Sequence, residues 1–164
     1  MIEFCMLAIS AALGSSCPAV PLPPPRAVIA QAQMAAPMQP DAQSLYRRLG
    51  GYDGIAAVTD DFIRRLATDP KLQRFFTGLS DNSKARVRQL VVDQLCAAAG
   101  GPCVYLGRDM KTAHKGLGIT DDDWQAALVD LNATLDTFKV GPAERRDLGA
   151  ALAPLKADIV QPAH

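Results

Sequence analysis

The sequence predicts an all-α fold for most of the chain. From Ser44 onward, apolar residues recur with the period of an α-helix in five segments, and glycine or proline residues separate these segments. No segment shows the convincing alternation of apolar and polar residues that is typical of a strand. Apolar residues make up 49% of the chain and aromatic residues only 5%. This alanine-rich composition suits packed helices better than a β-sandwich.

The first two predicted helices are the ones that precede the Gly100-Gly101-Pro102 turn. The first ends at Asp69-Pro70, and its apolar face carries Ile55, Val58, Phe62 and Leu66. The second presents Val87, Leu90, Val91, Leu95 and Ala98. It stops at the turn because two glycines and a proline do not continue a helix.

Three further helices are predicted after the turn. A short one runs from Arg108 to Lys115 and ends near Gly116 and Gly118. The next opens with Thr120 and Asp123 at the spacing of a capping box, and its predicted buried residues are Trp124, Ala127, Leu128, Leu131, Leu135 and Phe138. The last begins at Pro142 and should bend at Pro154. Its apolar residues are Leu148, Leu152, Leu155 and Ile159.

Length and charge limit the functional classes. The 164 residues fit one domain of ordinary size, and the 17 basic and 17 acidic residues cancel. A neutral chain has no broad positive field to attract nucleic acid, so we expect no nucleic-acid partner and infer a small ligand instead. The sequence also lacks the glycine-rich phosphate-binding loops of nucleotide-binding proteins.

The N-terminal part is predicted to be separate from the helical domain. Residues 1–17 resemble a signal peptide, because Phe4 to Leu13 is an apolar run that is too short to span a bilayer. Residues 18–43 are rich in proline and alanine and are predicted to be a flexible linker, followed by the globular domain at 44–161. We expect a periplasmic protein without a membrane span, either cleaved and soluble or lipid-anchored at Cys17. A cytoplasmic location is the alternative, since Glu3 is present and the usual positive residues are missing.

His114 is the candidate ligand-binding residue. The chain has two histidines, and His164 is its last residue. Met110, His114 and Leu117 share one apolar face of the short third helix. The imidazole is then either a core side chain bonded to a backbone carbonyl or an axial ligand of haem iron, which needs a neutral imidazole in an apolar crevice. Hydrolase and zinc chemistry fit less well, because no G-x-S-x-G motif is present and Cys96, Cys103 and His114 lack zinc-type spacing.

The order of short motifs favours the haem hypothesis. The motifs are Ser44-Leu45-Tyr46, Leu49-Gly50-Gly51, Asp61-Phe62, Asp69-Pro70, Phe75-Phe76, Gly100-Gly101-Pro102, Tyr105, Gly107, Met110, Ala113-His114 and Gly118-Ile119-Thr120. Each is weak alone, but in this order and spacing the chain resembles the group I truncated haemoglobins. The resemblance covers Ser44 to Val160, the whole predicted globular part.

This resemblance implies a two-over-two helical sandwich that holds haem b, which is iron protoporphyrin IX. By position, His114 matches the proximal histidine that ligates the iron, and Phe76 matches the phenylalanine that wedges against the macrocycle. The paired glycines match those that permit sharp turns in the family. The other residues implied to contact the haem are Phe62, Val91, Leu95, Met110, Trp124 and Leu128. Met110, Trp124 and Leu128 could equally be ordinary core residues that do not contact the haem.

The side of the haem opposite His114 departs from the family pattern. Group I members typically place a tyrosine after the phenylalanine of the first helix, where its hydroxyl donates a hydrogen bond to the gas ligand; here the residue is Ile63. The other distal positions fall on Val87, Val91 and Leu95, so all four are apolar. A missing donor removes roughly 1 to 3 kcal/mol from oxygen binding and should speed oxygen loss. Tyr46, Gln94 or an ordered water remain candidate donors.

The resemblance implies a haem globin that reversibly binds oxygen and other diatomic gases, namely carbon monoxide and nitric oxide. Haem-dependent nitric oxide dioxygenation or a peroxidase activity is the enzymatic alternative, and it would require a distal donor and a reductase that the sequence does not identify. A haem-free helical interaction module is the structural alternative. We expect a gas-binding protein rather than an enzyme.

Cys96 and Cys103 form a predicted disulfide. Cys96 lies near the end of the second predicted helix, and Cys103 directly follows the Gly100-Gly101-Pro102 turn. The two sulfurs can meet because the chain reverses between them. If the protein is exported, it enters an oxidising compartment in which such a disulfide forms and persists. If the chain stays in the cytosol, we expect instead that the two cysteines are unbonded small residues of the core.

Overall fold

The computed structural model describes residues 43–161, and all their regular elements are helical. Seven α-helices are described: α1 Leu45–Arg48, α2 Gly51–Thr68, α3 Asp81–Ala98, α4 Met110–His114, α5 Asp121–Thr137, α6 Pro142–Leu152 and α7 Lys156–Ile159. Two 3₁₀ turns occur at Gln73–Phe75 and Ala153–Leu155. The prediction of an all-α fold is confirmed. The signal-like segment, the linker up to residue 42, Cys17 and His164 lie outside the described residues.

Short polar side chains cap the first turns of α1, α3, α4 and α5. The Ser80 hydroxyl accepts a hydrogen bond from the Ser83 backbone N–H at 3.2 Å and starts α3. At α5 the predicted capping box is present: the Asp123 N–H donates to Thr120 Oγ1 at 3.2 Å, and the Thr120 N–H donates to Asp123 Oδ2 at 2.9 Å. Each cap satisfies a backbone donor that has no partner inside its helix. The capping box explains why the start of α5 was predictable from the sequence.

The core lies where α2 packs against α3 and α5, and α6 closes it from the side of α3. Its buried side chains are Ile55, Val58, Val92, Leu95, Cys96, Ala99, Leu131, Leu135 and Leu148. Burying such aliphatic side chains contributes about 1.5 to 3 kcal/mol each. The core therefore fixes α2 relative to α3 and α5, the helices that also form the site described below. No helix of residues 43–161 is both long and apolar enough to cross a membrane.

One sequence expectation about the later helices is wrong. Phe138, predicted to be buried, is 40% exposed, because α5 ends at Thr137 and the chain turns there. Thr134, one turn earlier on α5, is fully buried. At Pro154 the helix changes to the 3₁₀ turn Ala153–Leu155, which continues directly into α7 with the backbone still in the right-handed helical region.

The predicted disulfide between Cys96 and Cys103 is present, with a Cα–Cα distance of 5.7 Å. It ties the end of α3 to the segment that leads into α4. Gly101 lies inside this loop so closely packed that a Cβ atom there would stand 2.7 Å from Cys96 Sγ and 2.4 Å from the Tyr46 ring. Only glycine fits at this point, which accounts for one of the paired glycines found in the sequence.

Replacing Cys103 with serine should lower the free energy of unfolding by about 2 to 3 kcal/mol, because the short loop is no longer closed in the unfolded chain. Urea unfolding without reductant measures the change. Val104→Ser is the matched control, since the neighbouring Val104 side chain is 70% exposed and its loss should change little. Equal stabilities for Cys103→Ser and the control would contradict a stabilising disulfide.

Candidate functional site

An apolar cavity of about 410 Å³ opens beside the core. Its walls come from α2, α3, α4 and α5, from the 3₁₀ turn at Gln73–Phe75 with its flanking residues, and from the C-terminal segment around α7. This volume lies within the range of pockets that hold small organic ligands and cofactors. The cavity is therefore the candidate functional site of the described domain.

The helical period brings the wall residues together. On α3, Val87, Leu90 and Val91 are three and four residues apart, so they share the face that lines the cavity. On α2, Phe62 and Ile63 line the cavity just past the turns of the helix that supply Ile55 and Val58 to the core. The same helices thus build the core at one end and the cavity at the other.

His114 lines the cavity from the last turn of α4. Its Nδ1 atom lies 2.8 Å from the backbone oxygen of Met110. A carbonyl oxygen only accepts hydrogen bonds, so Nδ1 must carry the proton and Nε2 keeps a free lone pair. Within residues 43–161, no hydrogen bond engages Nε2. An imidazole oriented through Nδ1 in this way is suited to bind a metal through Nε2.

Gln161 holds the end of the helix that carries His114. Its side-chain amide donates to the His114 backbone oxygen at 2.6 Å and accepts from the Gly118 N–H at 3.2 Å. Its own backbone N–H donates to the Ile119 oxygen at 2.8 Å. The short α4 is therefore fixed at both ends, by the Asp109 cap and by Gln161. Sequence reasoning missed Gln161, because nothing local marks a residue that bonds to a turn more than 40 positions earlier.

The structure brings the predicted site residues to one cavity. Its lining includes Phe62, Ile63, Phe76, Val87, Val91, Leu95, Met110, His114, Trp124 and Leu128. Their contacts with a haem and with its gas ligand stay predictions. Of the candidate donors, Gln94 lines the cavity and Tyr46 does not. Tyr46 is occupied elsewhere, because its hydroxyl accepts a hydrogen bond from the Tyr52 N–H at 3.0 Å.

Two polar residues of the lining were not predicted as site residues. Tyr105 donates its hydroxyl to the Arg108 backbone oxygen at 2.7 Å, and burial raises the pKa of this phenol. Asp123 accepts from one guanidinium nitrogen of Arg74 at 2.8 and 2.7 Å. Burial works to raise the pKa of Asp123, but hydrogen bonds from Thr120 and Arg74 outweigh it and lower that pKa. The polar atoms of both side chains are therefore bonded to other protein groups and add no free polar group to the cavity wall.

The donor set fits a haem. In the described part of the chain, no three side chains of the histidine, cysteine or carboxylate type group together to hold a bare metal ion. A metal bound by His114 must then bring its other ligands, as the iron of a porphyrin does. A flat, largely apolar macrocycle also suits a cavity with these aliphatic and aromatic walls.

The chain matches the bacterial-like globin family over residues 44–161. It is 32% identical to a group 1 truncated hemoglobin of Chlamydomonas moewusii, an alignment that covers 84% of this chain and 80% of the relative. It is 34% identical to the group 1 truncated hemoglobin GlbN of Mycolicibacterium paratuberculosis, over 71% of this chain and 83% of the relative. Both alignments include most of each protein.

Solved structures agree with these sequence matches. The truncated hemoglobin of Tetrahymena pyriformis in its Fe(III) form superposes with a TM-score of 0.67 at 25% identity, covering 73% of this chain and 100% of that one. A 2/2 hemoglobin from a Synechococcus species, solved with covalently attached heme, gives a TM-score of 0.65 at 25% identity, covering 71% and 98%. The predicted two-over-two globin fold is confirmed. The chain therefore belongs to the bacterial-like globins, among the group 1 truncated haemoglobins, and is a haem globin.

Proposed function

We propose that this globin holds haem b through His114 and reversibly binds small diatomic gases, namely oxygen, carbon monoxide and nitric oxide. The observation that carries the proposal is the His114 imidazole, which lines an apolar cavity and is anchored at Nδ1 by Met110, while no residue in the described part of the chain bonds to Nε2. When bound, haem supplies an iron with one open coordination position for the gas. Nothing in the sequence suggests covalent attachment of the c type, because it has no C-x-x-C-H motif.

The apolar cavity walls support the binding of haem. Phe62 and Phe76 line the cavity together with the aliphatic residues of α3. Such walls hold an apolar macrocycle by burial alone, at about 25 cal/mol per Å² of apolar surface removed from water. Phe76 would pack against the macrocycle, and His114 would hold its iron through Nε2.

Selectivity among the gases should follow from the apolar wall opposite His114. Ile63, Val87 and Val91 offer no hydrogen-bond donor to the cavity. Oxygen becomes more polarised than carbon monoxide when it binds ferrous iron, so it gains more from a donor and loses more without one. We therefore propose that the protein favours carbon monoxide and nitric oxide over oxygen more strongly than relatives with a distal tyrosine. The same wall offers no acid or base for peroxidase chemistry.

The disulfide supports a periplasmic location. Cys96 is fully buried, and its bond to Cys103 closes the loop before α4. Such bonds persist in oxidising compartments and are rare in the cytosol. We propose that the protein acts in the periplasm, and mass spectrometry of the N-terminus from a periplasmic extract tests this. Recovery of the uncleaved chain in the cytosol alone would contradict it.

Replacing Ile63 with tyrosine should slow oxygen dissociation about tenfold, because a phenol then donates a hydrogen bond worth roughly 1.4 kcal/mol to the ligand. Stopped-flow replacement of oxygen by carbon monoxide measures the rate. Val129→Tyr is the matched control, since Val129 is 68% exposed on α5 and lies outside the cavity. An unchanged rate in Ile63→Tyr would show that residue 63 does not face the gas.

A further inference from the structure

The proposed iron ligand lies on a helix that is too short to fix its own position. α4 consists of the five residues Met110–His114, fewer than an isolated helix needs to be stable in water. His114 is its last residue, and a backbone oxygen at this end has no partner inside the helix. The direction in which the His114 imidazole projects therefore depends on contacts that other parts of the chain make with α4.

The side chain of Gln161 makes such a contact at the C-terminal end of α4. Its amide nitrogen donates to the His114 oxygen at 2.6 Å, whereas the Leu117 N–H donates to the same oxygen at 3.2 Å. Its amide oxygen accepts from the Gly118 N–H at 3.2 Å. One side chain thus bonds to both sides of the turn that ends the helix.

The chemistry of this contact requires an amide. The His114 oxygen can only accept a hydrogen bond and the Gly118 N–H can only donate one, so their common partner must offer a donor and an acceptor side by side. An ionised carboxylate could accept but not donate, and an ammonium group could donate but not accept. The same requirement fixes which end of the Gln161 amide is the nitrogen.

The segment that carries Gln161 is itself part of the cavity wall. The Gln161 backbone N–H donates to the oxygen of Ile119, a buried residue, at 2.8 Å. α7 ends two residues before Gln161 and packs against α4. Leu155 and Ile159 of this segment line the same cavity as His114. The position of Gln161 is thus set by the wall that would also contact the haem.

We propose that Gln161 is a positioning residue for the iron ligand: through its bond to the His114 backbone it sets the direction of Nε2 and thereby the strength of the iron–histidine bond. This inference rests on the proposed binding of haem through His114. The Met110 oxygen fixes the rotation of the imidazole ring, whereas Gln161 fixes the backbone from which the ring projects. Loss of a group that orients a metal ligand typically weakens metal binding about ten- to a hundredfold.

Two substitutions of Gln161 and one control, made in the full chain, separate its bonds. Gln161→Ala removes both side-chain bonds and keeps the backbone bond to Ile119. Gln161→Glu keeps an acceptor for the Gly118 N–H and, when ionised, has no donor for the His114 oxygen. Asp158→Ala is the matched control, because Asp158 is exposed on α7, three residues before Gln161, and does not line the cavity.

Three measurements distinguish positioning from general stabilisation. The iron–histidine stretch in the resonance Raman spectrum of the ferrous protein reports on the bond itself. Transfer of haem to an acceptor globin gives the rate of haem loss, and urea unfolding gives the stability of the chain. We expect both Gln161 variants to show a lower stretching frequency and about tenfold faster haem loss, because the ligand is less well directed at the iron. Asp158→Ala should match the wild type in all three.

An unchanged stretch in haem-loaded Gln161→Ala and Gln161→Glu would overturn the role of Gln161 and leave haem binding through His114 intact. Faster haem loss with an unchanged stretch, in variants that also unfold at lower urea concentration, would overturn it as well, since Gln161 would then only stabilise the fold. If Gln161→Ala does not fold, the stretch of Gln161→Glu decides. A wild-type protein that takes up no haem would overturn both proposals.

Discussion

His114→Ala should lower the affinity of the protein for haem by more than about a hundredfold, because even the loss of a residue that only orients a metal ligand costs ten- to a hundredfold. The cavity walls remain, so weak binding by burial persists. External imidazole should restore part of the wild-type spectrum by occupying the place of the side chain. Transfer of haem to an acceptor globin, followed by absorbance, measures the change.

Lys111→Ala is the matched control for this substitution. Lys111 lies on the same short helix, is exposed and does not line the cavity. The control should retain haem as the wild type does. Equal retention by His114→Ala and Lys111→Ala would remove His114 from its assigned role as the ligand of the iron.

Asp61→Ala should lower the free energy of unfolding by about 3 kcal/mol, although Asp61 lies outside the cavity lining. One of its oxygens accepts from Thr134 Oγ1 at 2.9 Å and from Arg65 Nε at 2.6 Å. Thr134 is fully buried, so the substitution leaves its hydroxyl without a partner. The bond joins α2 to α5, and its loss loosens two walls of the cavity. Urea unfolding at neutral pH measures the effect.

Asp60→Ala is the neighbouring control. Asp60 is also paired with an arginine, Arg88, but the pair is exposed, so its loss should cost less than about 1 kcal/mol. A loss for Asp61→Ala as small as that for Asp60→Ala would contradict the structural role of the buried contact.

The Asp61 contribution should also depend on pH. The hydrogen bond from Arg65 lowers the pKa of Asp61 from its ordinary value of 3.8 to about 2. A carboxyl group with a depressed pKa in the folded state adds stability above its ordinary pKa, and this stability is lost as pH falls toward the folded value. The difference between wild type and Asp61→Ala should therefore shrink between about pH 4 and pH 2. A difference that widens over this interval would contradict the ion pair.

The predictions from sequence succeeded where the signal is local. The Thr120 and Asp123 capping box marked the start of α5, and Gly100, Gly101 and Pro102 marked the end of α3, as the structure shows. Caps and turns involve residues a few positions apart, so their physics is visible in a short window of sequence. The helical period of α3 likewise placed its valines on one face.

Contacts between distant segments were not predictable in this way. Thr134 is fully buried and its hydroxyl reaches Asp61, 73 positions earlier in the chain. Gln161 holds the His114 backbone from 47 positions away. Neither pairing leaves a local pattern, since each depends on how the helices pack. The helical period placed His114 on an apolar face but did not distinguish a core residue from an iron ligand. The resemblance to a known family made that distinction.

The most direct test of the central claim is the absorption spectrum of the purified full chain titrated with haem. We predict a sharp Soret band that saturates at one haem per chain and shifts when carbon monoxide is added to the reduced protein. In His114→Ala this band should be lost, and the spectrum should resemble that of free haem. A spectrum that stays that of free haem at every ratio, or that is the same in wild type and His114→Ala, would contradict a haem held by His114.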